Sequence, residues 1–407
     1  DIRASRMKGR RRQVLPLPFV RDRSLAHEAL HNWWGNGVRI APERGNWAEG
    51  LTTYMADHAV AELERPAAAA AIRLDWLRDF AALPPEREMG LRACRSRRHD
   101  AQQVICYGKA AMLFHMLRRE IGDAAFGEGV RTFWKRRQFQ SADWDDLRAA
   151  FESVAKRDLA AFFAQWIDRA GAPSLRLADA AADGRKVTVK LLQQDPPWRL
   201  RVPLRLETEA GVETHAVEMN EAALSVTLTA GAKPLKVQVD PEHDVFRRLE
   251  AGETPLIVRD FTLRHRVATL TLGGAAEREA AAALAAALFD DGAAPVDAAA
   301  AAAGETPLAV IGPTREVTDF LNRLGVKSPL AASARVTGRA WTGRTRSGRP
   351  ILAAEANDAE SLTAMARPLP HYRRESWVTF NGRSVLGHGV WASGDGGLAR
   401  GLEQAAK

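Results

Sequence analysis

The chain has 407 residues, of which 46% are hydrophobic and 27% charged, with a formal net charge of +8. That length allows two or three domains, and no apolar run approaches the roughly 20 residues a membrane-spanning helix needs. The basic excess raises nucleic-acid binding as a possibility, but the arginines are scattered among acids without aromatic interleaving or a binding motif, so nucleic acid is not an expected partner.

The chain opens on Asp1 and a basic run from Arg3 to Arg12, then Val14–Val20, an apolar stretch that reads as the last strand or turn of a subdomain lying upstream. Asp22 or Ser24 can cap the helix that follows. This helix carries His27-Glu28-Ala29-Leu30-His31. Histidines four apart fall on one helical face, about one turn from each other, and both can reach one small cation. Glu28 projects beside that cation, where a base for its water is needed. Trp33-Trp34-Gly35-Asn36 comes next, followed by Asn46-Trp47-Ala48-Glu49-Gly50-Leu51-Thr52-Thr53-Tyr54, the start of a second helix running towards Glu64. Glu49 as third ligand would leave a fourth position open for water, the mark of a catalytic zinc. The alternative is an amphipathic helix with two surface histidines; tryptophans beside the ligands fit a packed wall better than a solvated face. His58 reads as lying behind the ligands or at the surface, and Asp57 as able to orient a ligand histidine.

These residues resemble a gluzincin zinc metallopeptidase of the aminopeptidase N and leukotriene hydrolase family. The resemblance covers about residues 14–172 and rests on H-E-x-x-H, W-W-G-N and W-x-E-G-L-T-x-Y. It implies that His27, His31 and Glu49 hold one zinc ion per chain and that Glu28 activates its water. The family usually has eighteen residues between the second histidine and the glutamate, whereas residues 32–48 make seventeen here. The Pro42–Gly45 turn is where a deletion is most easily absorbed. The family's amine-gripping Gly-x-Met-Glu-Asn segment, which lies upstream of the zinc motif, does not occur in the chain. With the resemblance, the chain reads as an N-terminally truncated fragment, and its localisation, cytoplasmic or exported, stays open.

Pro66 and the Ala67–Ala71 run open a third helix to about Leu83, before Pro84-Pro85. Residues 86–100 read as a loop. Gln103–Gly122 is strongly apolar at helical spacing and ends on a C-cap glycine. It contains Tyr107-Gly108-Lys109-Ala110; the resemblance implies that Tyr107 stabilises the tetrahedral oxyanion, and a phenol is a suitable neutral donor. Cys94 and Cys106 read as two buried thiols, with neither a disulfide framework nor metal-ligand spacing. Three more helices follow at Phe126–Arg137, Asp143–Ala155 and Asp158–Arg169, with Ser141 and Asp158 as candidate caps.

After Pro173 the period becomes two: Val187, Val189 and Leu191, then Leu200 to Leu206, Leu224 to Leu228, and Val237 with Val239. Short strands with turns at Ala210-Gly211 and Ala230-Gly231 predict a small β-sandwich. From about Pro255 strands and helices alternate, which predicts a small α/β domain. Ala298–Ala303 reads as a loop or frayed helix, and Leu272-Gly273-Gly274 as an ordinary turn. The predicted order is a remnant at 1–24, an α-helical, thermolysin-like catalytic half-domain at 25–172, a β-sandwich at 173–250 and an α/β domain at 255–407. The expected function is zinc-dependent peptide hydrolysis, with a peptide as substrate and aminopeptidase action implied by the resemblance. A non-catalytic zinc-binding scaffold and hydrolysis of a non-peptide electrophile such as an epoxide are the alternatives. Oligomeric state is not readable from the sequence.

Overall fold

A computed structural model describes residues 22–95, 101–289 and 292–402, the side chains of 22–24 excepted. The Val14–Val20 segment, the capping roles of Asp22 and Ser24, and residues 96–100 therefore lie outside what is described. The described residues form two compact units: those within 22–80, 85–250 and 395–402 make one, and those within 81–84 and 251–394 the other.

The first unit begins with the helix Asp22–Leu30. A continuous helix over 48–64 follows, interrupted by a π turn at Tyr54–His58. Pro66–Ala81 is the third helix, opened by its proline as expected. The helix over 101–121 contains a second π turn, Val104–Lys109, and stops at Gly122, whose φ of 86° continues no helix. Asp123–Arg137, Trp144–Ala155 and a helix over 160–168 complete the layer. The cap of Trp144–Ala155 is Asp143, which forms a capping box with Asp146; Ser141 sits in a short strand instead. The N-cap of the following helix is Leu159, without a side-chain cap; Asp158, one position earlier, accepts from the Ala160 amide at 2.7 Å.

One expectation is overturned. Cys94 and Cys106 are not separate thiols but form a disulfide, with a Cα–Cα distance of 5.7 Å. Twelve residues of sequence separation carry no signal of pairing; the turn at Leu91–Ala93 brings Cys94 against the helix that bears Cys106.

The same unit contains a β-sandwich. Arg176–Asp183, Lys186–Leu192 and Ala223–Thr229 form one antiparallel sheet. The other has the order Ala399–Gly401, Pro234–Val239, Leu200–Thr208, Gly211–Met219. Val187, Val189, Leu191, Val202, Leu204, Leu206, Val237 and Val239 point inward and are buried, as the period of two requires. Ala399–Gly401 is a contribution the sequence does not announce: the chain returns from the second unit to pair with Pro234–Val239.

The second unit is built on a seven-stranded mixed sheet. Ala293–Pro295, Val267–Thr271, Leu308–Pro313 and Pro350–Ala356 are parallel neighbours; Gly338–Arg344, Trp377–Asn381 and Ser384–Gly389 extend it antiparallel. Alternate strand residues feed two cores. Ala309, Ile311, Leu352 and Ala354 pack with Leu284 and Leu288 of the helix Ala275–Phe289. Leu308, Val310, Ile351 and Ala353 pack with Val317, Phe320 and Leu321 of Thr314–Arg323. Ala298–Ala303 is a formed helix rather than a loop: the Asp297 carboxylate caps it and Ala301 is buried in the second core.

Candidate active site

His27 lies in the last turn of the first helix, and the His31 amide still bonds the His27 carbonyl at 3.3 Å. The two rings therefore sit on one face, edge to face, with centroids 4.9 Å apart and planes at 77°. Their Nε2 atoms are 3.2 Å apart. The Glu49 carboxylate, from the first turn of the next long helix, brings one oxygen to 3.6 Å from His27 Nε2 and 3.3 Å from His31 Nε2.

The remaining ring nitrogens fix what these atoms are. His27 Nδ1 is 2.8 Å from the Asp57 carboxylate and His31 Nδ1 is 3.0 Å from the Trp34 carbonyl. Both partners only accept, so each Nδ1 carries a hydrogen, and in the neutral ring each Nε2 presents a lone pair. Two lone pairs and a carboxylate oxygen then meet at contact distance, an arrangement that calls for positive charge at its centre. Tetrahedral ligands at about 2.0–2.1 Å from zinc stand roughly 3.3–3.4 Å from one another. The three observed separations, 3.2, 3.3 and 3.6 Å, bracket that spacing. Among the described residues this trio is the cluster of histidine, cysteine and acidic side chains able to hold a metal ion. The donor set fits zinc.

The electrostatics agree. Burial disfavours charge on His27, but its bonds to Asp57 and Glu49 outweigh burial and raise its pKa to about 9. His31 is raised in the same way, burial being overcome by Glu49. Burial pushes the Glu49 carboxyl up, yet the two histidines hold it well below the usual carboxylate range. A site that draws protons so firmly onto these atoms is one where a dication competes for the same lone pairs.

Glu28 is half-buried directly after the first histidine. Tyr107 reaches the same place from another helix: its ring lies nearly parallel to that of His27, 13° between planes and 6.4 Å between centroids. Close helix approach makes this possible. A Cβ on Gly50 would stand 2.3 Å from Ala110 Cβ, so only glycine lets the Glu49 and Tyr107 helices cross here. Gly45, at the shortened turn, has φ of 99°, and a Cβ there would meet the Leu91 carbonyl oxygen at 2.9 Å.

Of the three tryptophans the sequence suggests as a wall, two are buried. Trp34 and Trp47 are buried against Phe133, at 6.0 and 5.1 Å between centroids. Trp33 instead turns outward and is 45% exposed. His58 does not stand behind the ligands. It is fully buried, its Nε2 accepts from Arg73 Nη1 at 2.7 Å, and burial, with the nearby His115 and Arg73, lowers its pKa to about 3. It belongs to a separate buried network in which Arg73 and His115 both reach Asp244. Lys109 is buried as well and donates to the Arg169 and Gly171 carbonyls at 2.8 and 3.2 Å, tethering the end of the helix over 160–168. Two supporting groups are hard to find in sequence: the Trp34 carbonyl, which carries no residue-type signal, and Asn46, whose side chain caps the Glu49 helix.

Comparison with known proteins gives a family match within this helical layer and alignments that extend beyond it. Residues 22–166 match the model of the peptidase family M1 domain. A leucyl aminopeptidase of Saccharolobus solfataricus is 24% identical over 53% of this chain and 28% of its own length. An aminopeptidase N of Lactococcus lactis is 25% identical over 37% of this chain and 18% of its own. The chain thus spans less than a third of these curated relatives. Among solved structures, Legionella pneumophila aminopeptidase A in complex with aspartic acid aligns over 66% of this chain and 31% of that one, with 18% identity and a TM-score of 0.41.

Proposed function

We propose that this chain, which carries a peptidase family M1 domain over residues 22–166, is a zinc-dependent peptidase that removes residues from the N-termini of peptides. The observation that carries the reading is the donor triangle of His27, His31 and Glu49, with edges of 3.2, 3.3 and 3.6 Å, and Glu28 adjoining its first member. Bound there, zinc would supply Lewis acidity at the scissile carbonyl and lower the pKa of a coordinated water to about 7.

The chain's own residues have distinct tasks. Asp57 and the Trp34 carbonyl hold the two imidazoles with their Nε2 lone pairs facing inward. Glu28 takes the proton of the attacking water and returns it to the leaving amine. The Tyr107 hydroxyl donates to the oxygen on which negative charge develops. Restriction to free N-termini is supported by the names of the relatives, and the choice of peptide over other electrophiles by the family of the matched domain.

Glu28→Gln tests the chemistry. The amide keeps the size and cannot accept the proton, so kcat for an aminoacyl amide should fall by about 10²-fold or more, with zinc content unchanged. A zinc-loaded, folded Glu28→Gln protein that hydrolyses peptides at the wild-type rate would refute the mechanism. Equal cleavage of N-acetylated and free peptides would refute the aminopeptidase part alone.

A further inference from the structure

The two segments that bring Glu49 and Tyr107 to the candidate site are joined, through a third, by one unbroken series of bonds. Cys106 immediately precedes Tyr107 in the π turn Val104–Lys109. Its partner Cys94 is fully buried and closes the turn Leu91–Ala93. The Cys94 carbonyl accepts from the Asn46 amide at 2.8 Å. The Asn46 side chain, itself 7% exposed, accepts from the amides of Ala48 and Glu49 at 3.0 and 3.4 Å. Asn46 therefore sets where the helix carrying Glu49 begins, and Cys94 sets where Asn46 lies. Gly45 presses its backbone onto the Leu91 carbonyl oxygen and Arg92 Cα from the same side, at 2.9 and 3.0 Å from an ideal Cβ.

We propose that the Cys94–Cys106 disulfide is a positioning device for catalysis: it fixes Tyr107 relative to the start of the Glu49 helix, so that breaking it lowers turnover while the domain stays folded. The inference rests on the zinc-peptidase reading above. The domain is expected to fold without the bond, because the helix that bears Cys106 is anchored by its own packing. Ala110, Ala111, Met112, Leu113, Phe114 and Leu117 on the Tyr107 helix are all fully buried. The bond acts on orientation, and displacement of a catalytic group by about 1 Å can cost on the order of 10²-fold. Disulfides persist in oxidising compartments and are reduced by cytosolic thiol pools, so the bond makes turnover depend on where the protein resides.

The test compares oxidised protein, protein reduced with a trialkylphosphine, and Cys94→Ser/Cys106→Ser. In the reduction the phosphine gives its electron pair to the disulfide and takes oxygen from water, yielding two thiols and the phosphine oxide. The thiols are then alkylated, the reagents removed and zinc restored, so that no reductant competes for metal. Both bond-free forms should lose about 10-fold in kcat, with KM within about twofold. Amide hydrogen exchange should quicken at residues 46–50 as well as 101–109, although 46–50 contain neither cysteine. In Tyr107→Phe, reduction should cost no further kcat. Unchanged kcat with unchanged exchange at 46–50 would overturn the proposal, as would loss of helical circular dichroism on reduction, which would make the bond a folding requirement. A reduction penalty in Tyr107→Phe equal to that in wild type would overturn it too, by removing the link to the tyrosine. In each case the effect of Glu28→Gln would still stand, so failure of the inference is distinguishable from failure of the function.

Discussion

Removing Asp57 is the sharpest probe of how the candidate metal centre is held. Its carboxylate receives the His27 Nδ1 hydrogen at 2.8 Å and is 28% exposed, while the ring's other nitrogen faces His31 and Glu49. Without Asp57 the ring can rotate or take the other tautomer, and an Nε2 that carries hydrogen is no ligand. Loss of such a hydrogen-bond partner typically weakens metal affinity or activity by 10–100-fold, about 1.4–2.8 kcal/mol at 1.4 kcal/mol per decade. Asp57→Ala should sit near the upper end. Asp57→Asn keeps an acceptor oxygen without the charge and should sit near the lower end. Competition titration against a chelator of known zinc affinity measures the loss directly, and kcat/KM under saturating zinc separates affinity from orientation. An Asp57→Ala protein that binds zinc and turns over like wild type would show that His27 is aligned by packing alone.

Other expectations follow from the same geometry. Tyr107→Phe should lower kcat by about 10²–10³-fold, the loss typical of an oxyanion donor, with KM little changed in steady-state assays. Gly50→Ala places a methyl 2.3 Å from Ala110 Cβ; overpacking of about 1–3 kcal/mol should lower the thermal midpoint, and zinc affinity should drop with it as Glu49 is pushed away. In the second unit, Asp260 accepts from the Ile257 amide at 2.8 Å, and burial raises its pKa to about 6 from 3.8. The raised value means that its contribution is intact below pH 3.8 and lost as pH rises through 6, by at most about 3 kcal/mol. Asp260→Asn keeps the acceptor and cannot ionise, so it should raise the melting temperature at pH 8 and not at pH 3.5; equal effects at both pH values would refute the titration.

Much of the architecture is legible because burial writes itself into periodicity. The helix over 101–121 and the strands Leu200–Thr208 and Lys186–Leu192 are amphipathic or alternating elements with no competing signal. The trio His27, His31 and Glu49 is legible for a different reason: two of its members are one turn apart on one helix, so local geometry alone brings them together. What stays hidden depends on tertiary approach. Cys94 and Cys106 meet only because a turn between them folds back. His58 looks like a site residue on its helix until Arg73 arrives from the next helix to claim it. The strand Ala399–Gly401 pairs with residues about 160 positions earlier, a distance at which no local pattern operates.

The position of Asp57 shows how one local irregularity makes the site. Glu49 and Asp57 bind the two nitrogens of the same imidazole, Nε2 and Nδ1 of His27, so they must project from the same side of their helix. In an uninterrupted α-helix a separation of eight residues turns through about 800°, which leaves the second side chain roughly 80° from the first. The π turn Tyr54–His58 begins five residues after Glu49 and contains Asp57. Its wider turn advances roughly 80° per residue rather than 100°, and over its first residues removes most of that error. The same device recurs at Val104–Lys109, around Tyr107. Two of the three π turns among the described residues thus carry groups assigned to the site, Asp57 and Tyr107. A strict α-helical count would place Asp57 roughly 80° from Glu49, and the π turn is what lets it serve His27 as the sequence suggests. A deletion of one residue within 54–56 that restored α geometry would leave Asp57 seven residues from Glu49, about 700° and so roughly 20° from it, and should therefore keep Asp57 on His27 and preserve zinc affinity in the chelator titration, whereas Asp57→Ala loses it.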